Sequence, residues 1–192
     1  MNRKSLAILE YDKIKHKLFQ HATTEMGKRQ VKRLSPNTDL DEIQVKLLQT
    51  KDGADILRLK GGVPIPQLTL ITDHLKRLEI GATLNGKELA EISQVLRSAN
   101  EVHRFFTALA DEKVELNYLY ELEEQLETLP QLAKRLQVSL EADGYVTDDA
   151  SSLLRSLRRQ ISTTEATIRN RLVALTRGNN AKYLSGANVT IR

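Results

Sequence analysis

From Ala7 to Leu175, apolar residues recur at spacings of three and four. That is the period that places side chains on one face of an α-helix. Ala7, Tyr11, Ile14 and Leu18 set one such face. Leu40, Ile43, Leu47, Ala54 and Leu57 set another, and Leu89, Ile92, Leu96, Ala99, Val102 and Phe106 a third. Nine glycines and four prolines in 192 residues are too few turn-formers for a sandwich or barrel. A chain rich in Leu, Glu, Lys and Arg, with eight Phe and Tyr and no Trp, has the composition of a helical protein. The expected fold class is therefore all-α: a helical core domain followed by a long C-terminal helix. A compact fold of this size buries roughly 70% of its unfolded surface, so a sizeable core is expected.

Capping signals divide the chain. Ser5 opens a helix expected over 6–21, and Thr23 or Thr24 one that ends at Ser35-Pro36, where the proline ring disfavours helix for the residue before it. Thr38 or Asp39 caps a helix to about Lys60, and Gly61–Pro66 forms a loop. A fourth helix is expected over 68–80. Asn85 with Glu88 has the spacing of a capping box, opening a helix to about Leu109. Helices at about 117–128 and from Pro130 follow, proline suiting a first helical turn. Residues 140–149 are the one strand-like stretch, with a turn at Asp143-Gly144. A helix over 150–177, about 40 Å long at 1.5 Å per residue, has a narrow seam of Leu154, Leu157, Ile161, Ile168, Leu172 and Leu175. Residues 188–192, Asn-Val-Thr-Ile-Arg, read as the start of a strand without a partner, as in a chain cut short. The expected domains are 1–149, 150–178 and 179–192.

Charge is uneven. Residues 1–149 hold 21 Lys/Arg and 24 Asp/Glu, whereas residues 150–192 hold eight Lys/Arg and one acid, Glu165. Cysteine is absent, which removes disulfides and thiolate metal sites and fits a reducing cytoplasm. The N-terminus lacks the apolar run of a signal peptide, and no 18-residue apolar stretch could span a membrane.

No constellation reads as an active site. There is no phosphate-cradling GxxxxGK[ST], no GxSxG and no nucleophile–base pair. His16, His21, His74 and His103 lack metal-ligand spacing. Glu121, Glu123, Glu124 and Glu127 read as a solvated face rather than an ion site, and no metal ligand is assigned. Lys28, Arg29, Lys32 and Arg33 span about 140° of a helix at 100° per residue. Such an arc is that of a solvated helix face, which is favoured over a phosphate contact, and because no aromatic residue interleaves these bases a single-strand stacking platform is not expected. Arg155, Arg158, Arg159, Arg169 and Arg171 carry the stronger signal. They could lie along a phosphate backbone, or their stems could cover apolar surface.

The stretches "LEYDKIKHKL", "TTEMGKRQVKRLSPNTDLDEIQVKLLQTKDGADIL" and "DDASSLLRSLRRQI", with the Gly-Gly loop, together resemble the N-terminus of the second bacterial MutS lineage, the Smr-domain-carrying MutS homologues. The resemblance runs over essentially the whole chain and is most specific at "EMGKR" and "SPNTDLDEI". It implies that Met26 and Gly27 are packing residues, Gly27 allowing a neighbouring helix to approach. It implies that residues 1–149 are a MutS-like core, 150–178 the start of a lever helix and 179–192 a segment leading toward a clamp. The family resembled is a cytoplasmic dimeric ATPase with an Smr endonuclease domain, linked to recombination suppression, branched-DNA and rRNA binding, and processing of collided ribosomes. ATP and Mg are implied for the full-length protein and no cofactor for this part, whose role would be mechanical and non-catalytic. The alternative is a self-contained helical adaptor for protein partners without nucleic-acid binding. The bare seam predicts either fold-back onto earlier helices or, as favoured, pairing of two copies.

Overall fold

Several helices start where a cap side chain reaches the first free N–H groups, whereas Ser5, expected to open the first helix, lies inside one that begins at Arg3. The computed structural model describes residues 3–177 and Lys182. Among these are nine α-helices and no strand: α1 (Arg3–Ile8), α2 (Tyr11–His21), α3 (Glu25–Arg33), α4 (Leu40–Lys60), α5 (Thr72–Glu79), α6 (Gly86–Asp111), α7 (Leu119–Glu124), α8 (Pro130–Ser139) and α9 (Ser152–Arg177). The all-α expectation holds for the described residues. The segment expected to lead toward a clamp, with its strand at 188–192, lies outside them. Two compact units are formed, Met1–Tyr145 and Val146–Arg192.

In the first unit, Thr24 caps α3 by accepting from Gly27 N, and Asp39 caps α4 by accepting from Asp41 N and Glu42 N. Asn85 and Glu88 form the reciprocal capping box on α6, and Pro130 occupies the first turn of α8. The helix expected over 6–21 is instead two, because Glu10 adopts a left-handed conformation with φ 53° and breaks the ladder between α1 and α2. The helix expected over 68–80 begins only at Thr72.

The buried face of α4 is not the expected one. Leu40, Leu47 and Leu57 are 66, 63 and 62% exposed. Asp52 and Ile56, on the opposite face, are 0 and 1% exposed. Ile56 packs with Phe106 and Leu109 of α6, joined by Val102, Phe105, Leu119 and Tyr120. Phe106 meets Phe105 and Tyr120 edge-on, with centroids 5.6 and 6.0 Å apart. Tyr120 donates its hydroxyl proton to Val114 O at 2.9 Å, and burial pushes its pKa up.

Asp52 is buried because it is fully engaged. Its carboxylate accepts from Asn117 N at 3.0 and 2.9 Å, Asn117 Nδ2 at 2.6 Å, Tyr118 N at 2.7 Å and Leu119 N at 3.2 Å. It therefore caps α7 from 65 residues away, taking up N–H groups that the start of a helix leaves without partners. Burial alone would raise its pKa. The N–H donors of Asn117, Tyr118 and Leu119 and the Asn117 amide outweigh burial and hold it below the usual carboxylate range.

Small residues set the second contact, in which α8 packs on α6. Ala133 is 3% exposed, and Ser93 and Ser98 of α6 are buried. The expected turn at 143–144 forms, with Gly144 N donating to Glu141 O at 3.0 Å and Glu141 N to Tyr145 O at 2.9 Å. It lies backbone to backbone on the first turn of α6: a Cβ at Gly86 would come within 3.0 Å of Gly144 O, and one at Gly144 equally close to Lys87 N. Gly144 also has φ 90°, so glycine is required there on two counts.

Candidate nucleic-acid interface

The second unit is built on α9. Its 26 residues contain neither Gly nor Pro, and Ser151 Oγ accepts from Leu154 N at 3.1 Å at its start. Thr164 and Thr167 return their hydroxyl protons to the carbonyls of Gln160 and Thr163, which satisfies them within the helix. At 100° per residue, the seam from Leu154 to Leu175 spans about 60°. In the chain this seam is open: Leu157, Ile161, Ile168 and Leu175 are 46, 58, 46 and 48% exposed.

The same geometry sorts the five candidate arginines. Arg155, Arg158, Arg159 and Arg169 fall within an arc of about 100° on one flank of the seam, and Arg171 falls on the other flank. Arg155 pairs with Asp149, and Arg158 with Asp148 at 2.5 Å. Both acids belong to the 3-10 turn Asp148–Ala150 that precedes α9. No ion pair is formed by Arg159, Arg169 or Arg171 among the described residues. Next to Arg155 and Arg159 the surface is polar, through Ser156, Gln160 and Thr163.

The second basic surface lies on α2 and α3. Residues 1–34 hold nine Lys/Arg against three Asp/Glu, a concentration hidden by the acidic character of the rest of the first unit. Sequence order shows no aromatic among Lys28, Arg29, Lys32 and Arg33, but the helix pair brings one in. Lys28 Nζ and Lys32 Nζ stand 5.9 and 5.2 Å from the ring centroid of Phe19 on α2. Lys15 Nζ donates to Lys32 O at 2.9 Å. Lys28 also pairs with Glu25 at 3.2 Å.

Met26 is 57% exposed and lines an apolar cleft of about 310 Å³ with Ile65, Leu68, Ile71 and Val95. A Cβ at Gly27 would lie 3.1 Å from Thr24 Oγ1 and 3.6 Å from Ala22 Cβ. Its nearest neighbours are thus its own cap and the residue that ends α2.

Two of the histidines meet acids. His74 Nε2 lies 2.8 Å from Glu91 and His103 Nδ1 2.5 Å from Glu123. His74 also stands 3.9 Å from Glu88, which bonds Arg77. The Asn85 N–H holds the Glu88 carboxyl below its ordinary pKa, burial opposing and Arg77 assisting. Among the described residues no group of three or more His, Asp or Glu side chains is disposed to hold a metal ion. No described helix is long and apolar enough to cross a membrane.

No family model matches the chain. It is 60% identical over all 192 residues to a protein of Ligilactobacillus salivarius named Endonuclease MutS2. It is 52% identical over its whole length to one of that name from Latilactobacillus sakei, and 46% to one from Enterococcus faecalis. In each case the chain spans 24% of the relative's length.

Proposed function

The chain belongs to the MutS2 family, and from that premise we propose that it is the core and lever part of a MutS2 protein, mechanical rather than catalytic. Its task is to couple the nucleotide state of the whole protein to a clamp on DNA or on a collided ribosome, in a cytoplasmic homodimer. The relatives' printed name supplies the endonuclease activity of the whole protein. The chain has no phosphate-cradling glycine loop, so no residue here is proposed to hold ATP or Mg. Both are assigned to the remainder of the whole protein.

The observation that carries the nucleic-acid part is the arginine flank of α9. Arg159 and Arg169 lie about 15 Å apart along one flank of the helix, and neither forms an ion pair among the described residues. Arg155 and Arg158 add to this line, because exposed ion pairs of their kind are worth only about 0–1 kcal/mol and can be exchanged for phosphate. The test is fluorescence anisotropy with a labelled four-way DNA junction. Arg159→Glu with Arg169→Glu should weaken binding at least about tenfold and lower the log–log salt slope by about 2. Unchanged affinity and slope would refute it.

A further inference from the structure

The cleft between α2 and α3 has a composition that the α9 flank lacks: an aromatic face surrounded by cations from two helices. It measures about 290 Å³ and is lined by Asp12, Lys15, His16, Phe19, Val31 and Lys32. Lys28 and Lys32 approach the Phe19 ring from α3. Arg29 and Arg33 lie on the same helix without an ion pair among the described residues. We propose that this cleft binds single-stranded nucleic acid, one base stacking on Phe19 while Lys15, Lys28 and Lys32 take the flanking phosphates. The inference does not depend on the α9 flank.

Three features favour a single strand. An undistorted duplex offers its bases edge-on, so the face of a ring lining a cleft has no base to stack on. A splayed base presents a π-face, and a positively charged groove with an aromatic platform is the arrangement that holds single strands. The exchange is also favourable. The two exposed cation–π contacts that a base displaces are together worth roughly 5- to 25-fold, against roughly 5- to 100-fold for a base stacked on an aromatic ring, so the phosphate contacts tip the exchange. The ammonium groups leave the ring face but gain phosphates, and counterions are released from the strand. Asp12 lines the cleft and Glu25 pairs with Lys28, so phosphate must displace Glu25 from Lys28, an exposed pair worth only about 0–1 kcal/mol.

The test uses the 192-residue chain and two 5′-fluorescein probes in anisotropy titrations, a 20-nucleotide oligo(dT) and a 20-base-pair duplex. Phe19→Leu keeps the apolar contact and removes the π-face. It should weaken oligo(dT) binding roughly 5- to 100-fold and change duplex binding less than 2-fold. Lys28→Gln with Lys32→Gln should weaken oligo(dT) binding and reduce its salt slope. Unchanged far-UV circular dichroism shows that each variant is folded. If the loss of helix shows that Phe19→Leu is misfolded, the lysine pair and protection of the Phe19 ring NMR signals by oligo(dT) decide instead. Equal losses on both probes, retention of wild-type affinity by the folded Phe19→Leu, or no oligo(dT) binding even at about 10 mM salt would each overturn the proposal. Arg159→Glu with Arg169→Glu should spare oligo(dT) binding, so failure of the α9 reading and failure of this one give different results.

Discussion

Replacing Asp52 with alanine should be among the most damaging changes in the first unit. The carboxylate is fully buried and accepts from three consecutive backbone N–H groups and one side-chain amide. Truncation leaves those donors facing a cavity where water is poorly placed to replace the lost oxygens. A buried donor left without a partner costs about 1–3 kcal/mol, and breaking one side of a buried charged network costs about 3–5 kcal/mol. Donors on one short segment relax together, so the expected loss is about 3–5 kcal/mol. With a urea m-value of about 2 kcal/mol/M, the midpoint should fall by about 1.5–2.5 M, followed by circular dichroism because the chain has no Trp. The native pKa of Asp52 lies below its unfolded value. The part of its contribution that depends on ionisation is therefore complete above about pH 5 and lost as pH falls through the folded pKa. The gap between wild type and Asp52→Ala should narrow in that acid range. A loss below about 1 kcal/mol at pH 7, or a gap that persists unchanged at the acid end, would refute the capping role.

Gly144→Ala should cost about 1–3 kcal/mol, from a left-handed backbone compounded by contact with Lys87 N, and should speed hydrogen exchange in the first turns of α6. Light scattering should show a dimer that Ile161→Asp with Ile168→Asp returns to monomer, helix content being kept. Because α9 carries six arginines and one glutamate, pairing of two copies should strengthen as salt rises, and a dimer weakened by salt would argue against seam-to-seam contact. The purified chain should hydrolyse no ATP and cleave no branched DNA with Mg present, and activity that persists through rigorous purification would contradict the non-catalytic assignment.

Helix class and most helix starts were legible because they are local. The Thr24, Asp39 and Asn85 caps and Pro130 act within one turn, and the sequence carries both partners of each. The buried face of α4 was not legible. Two apolar faces compete on that helix, and the winning one contains an aspartate whose partners lie 65 residues on. A polar residue counts against burial until its donors are known. The Gly86–Gly144 contact was hidden for the same reason, since each glycine alone reads as a cap or turn. At the candidate interface, the sequence showed the α9 arginines but not that Arg155 and Arg158 face acids one turn upstream of the helix. It showed the 28–33 bases but not Phe19, which the α2–α3 pairing places beneath them.

On the proposed reading, nucleic acid lies along the arginine flank of α9 and not on its apolar seam. The chain has no cysteine, so one introduced thiol can carry a photoreactive benzophenone at a single known place. Ala166 lies between Arg159 and Arg169 in angle, and Ile161 lies on the seam. A label at Ala166→Cys should crosslink to a four-way junction, and the yield should collapse when Arg159 and Arg169 are reversed to Glu. A label at Ile161→Cys should crosslink weakly. Equal yields at the two positions, or a stronger yield from Ile161→Cys, would contradict the account.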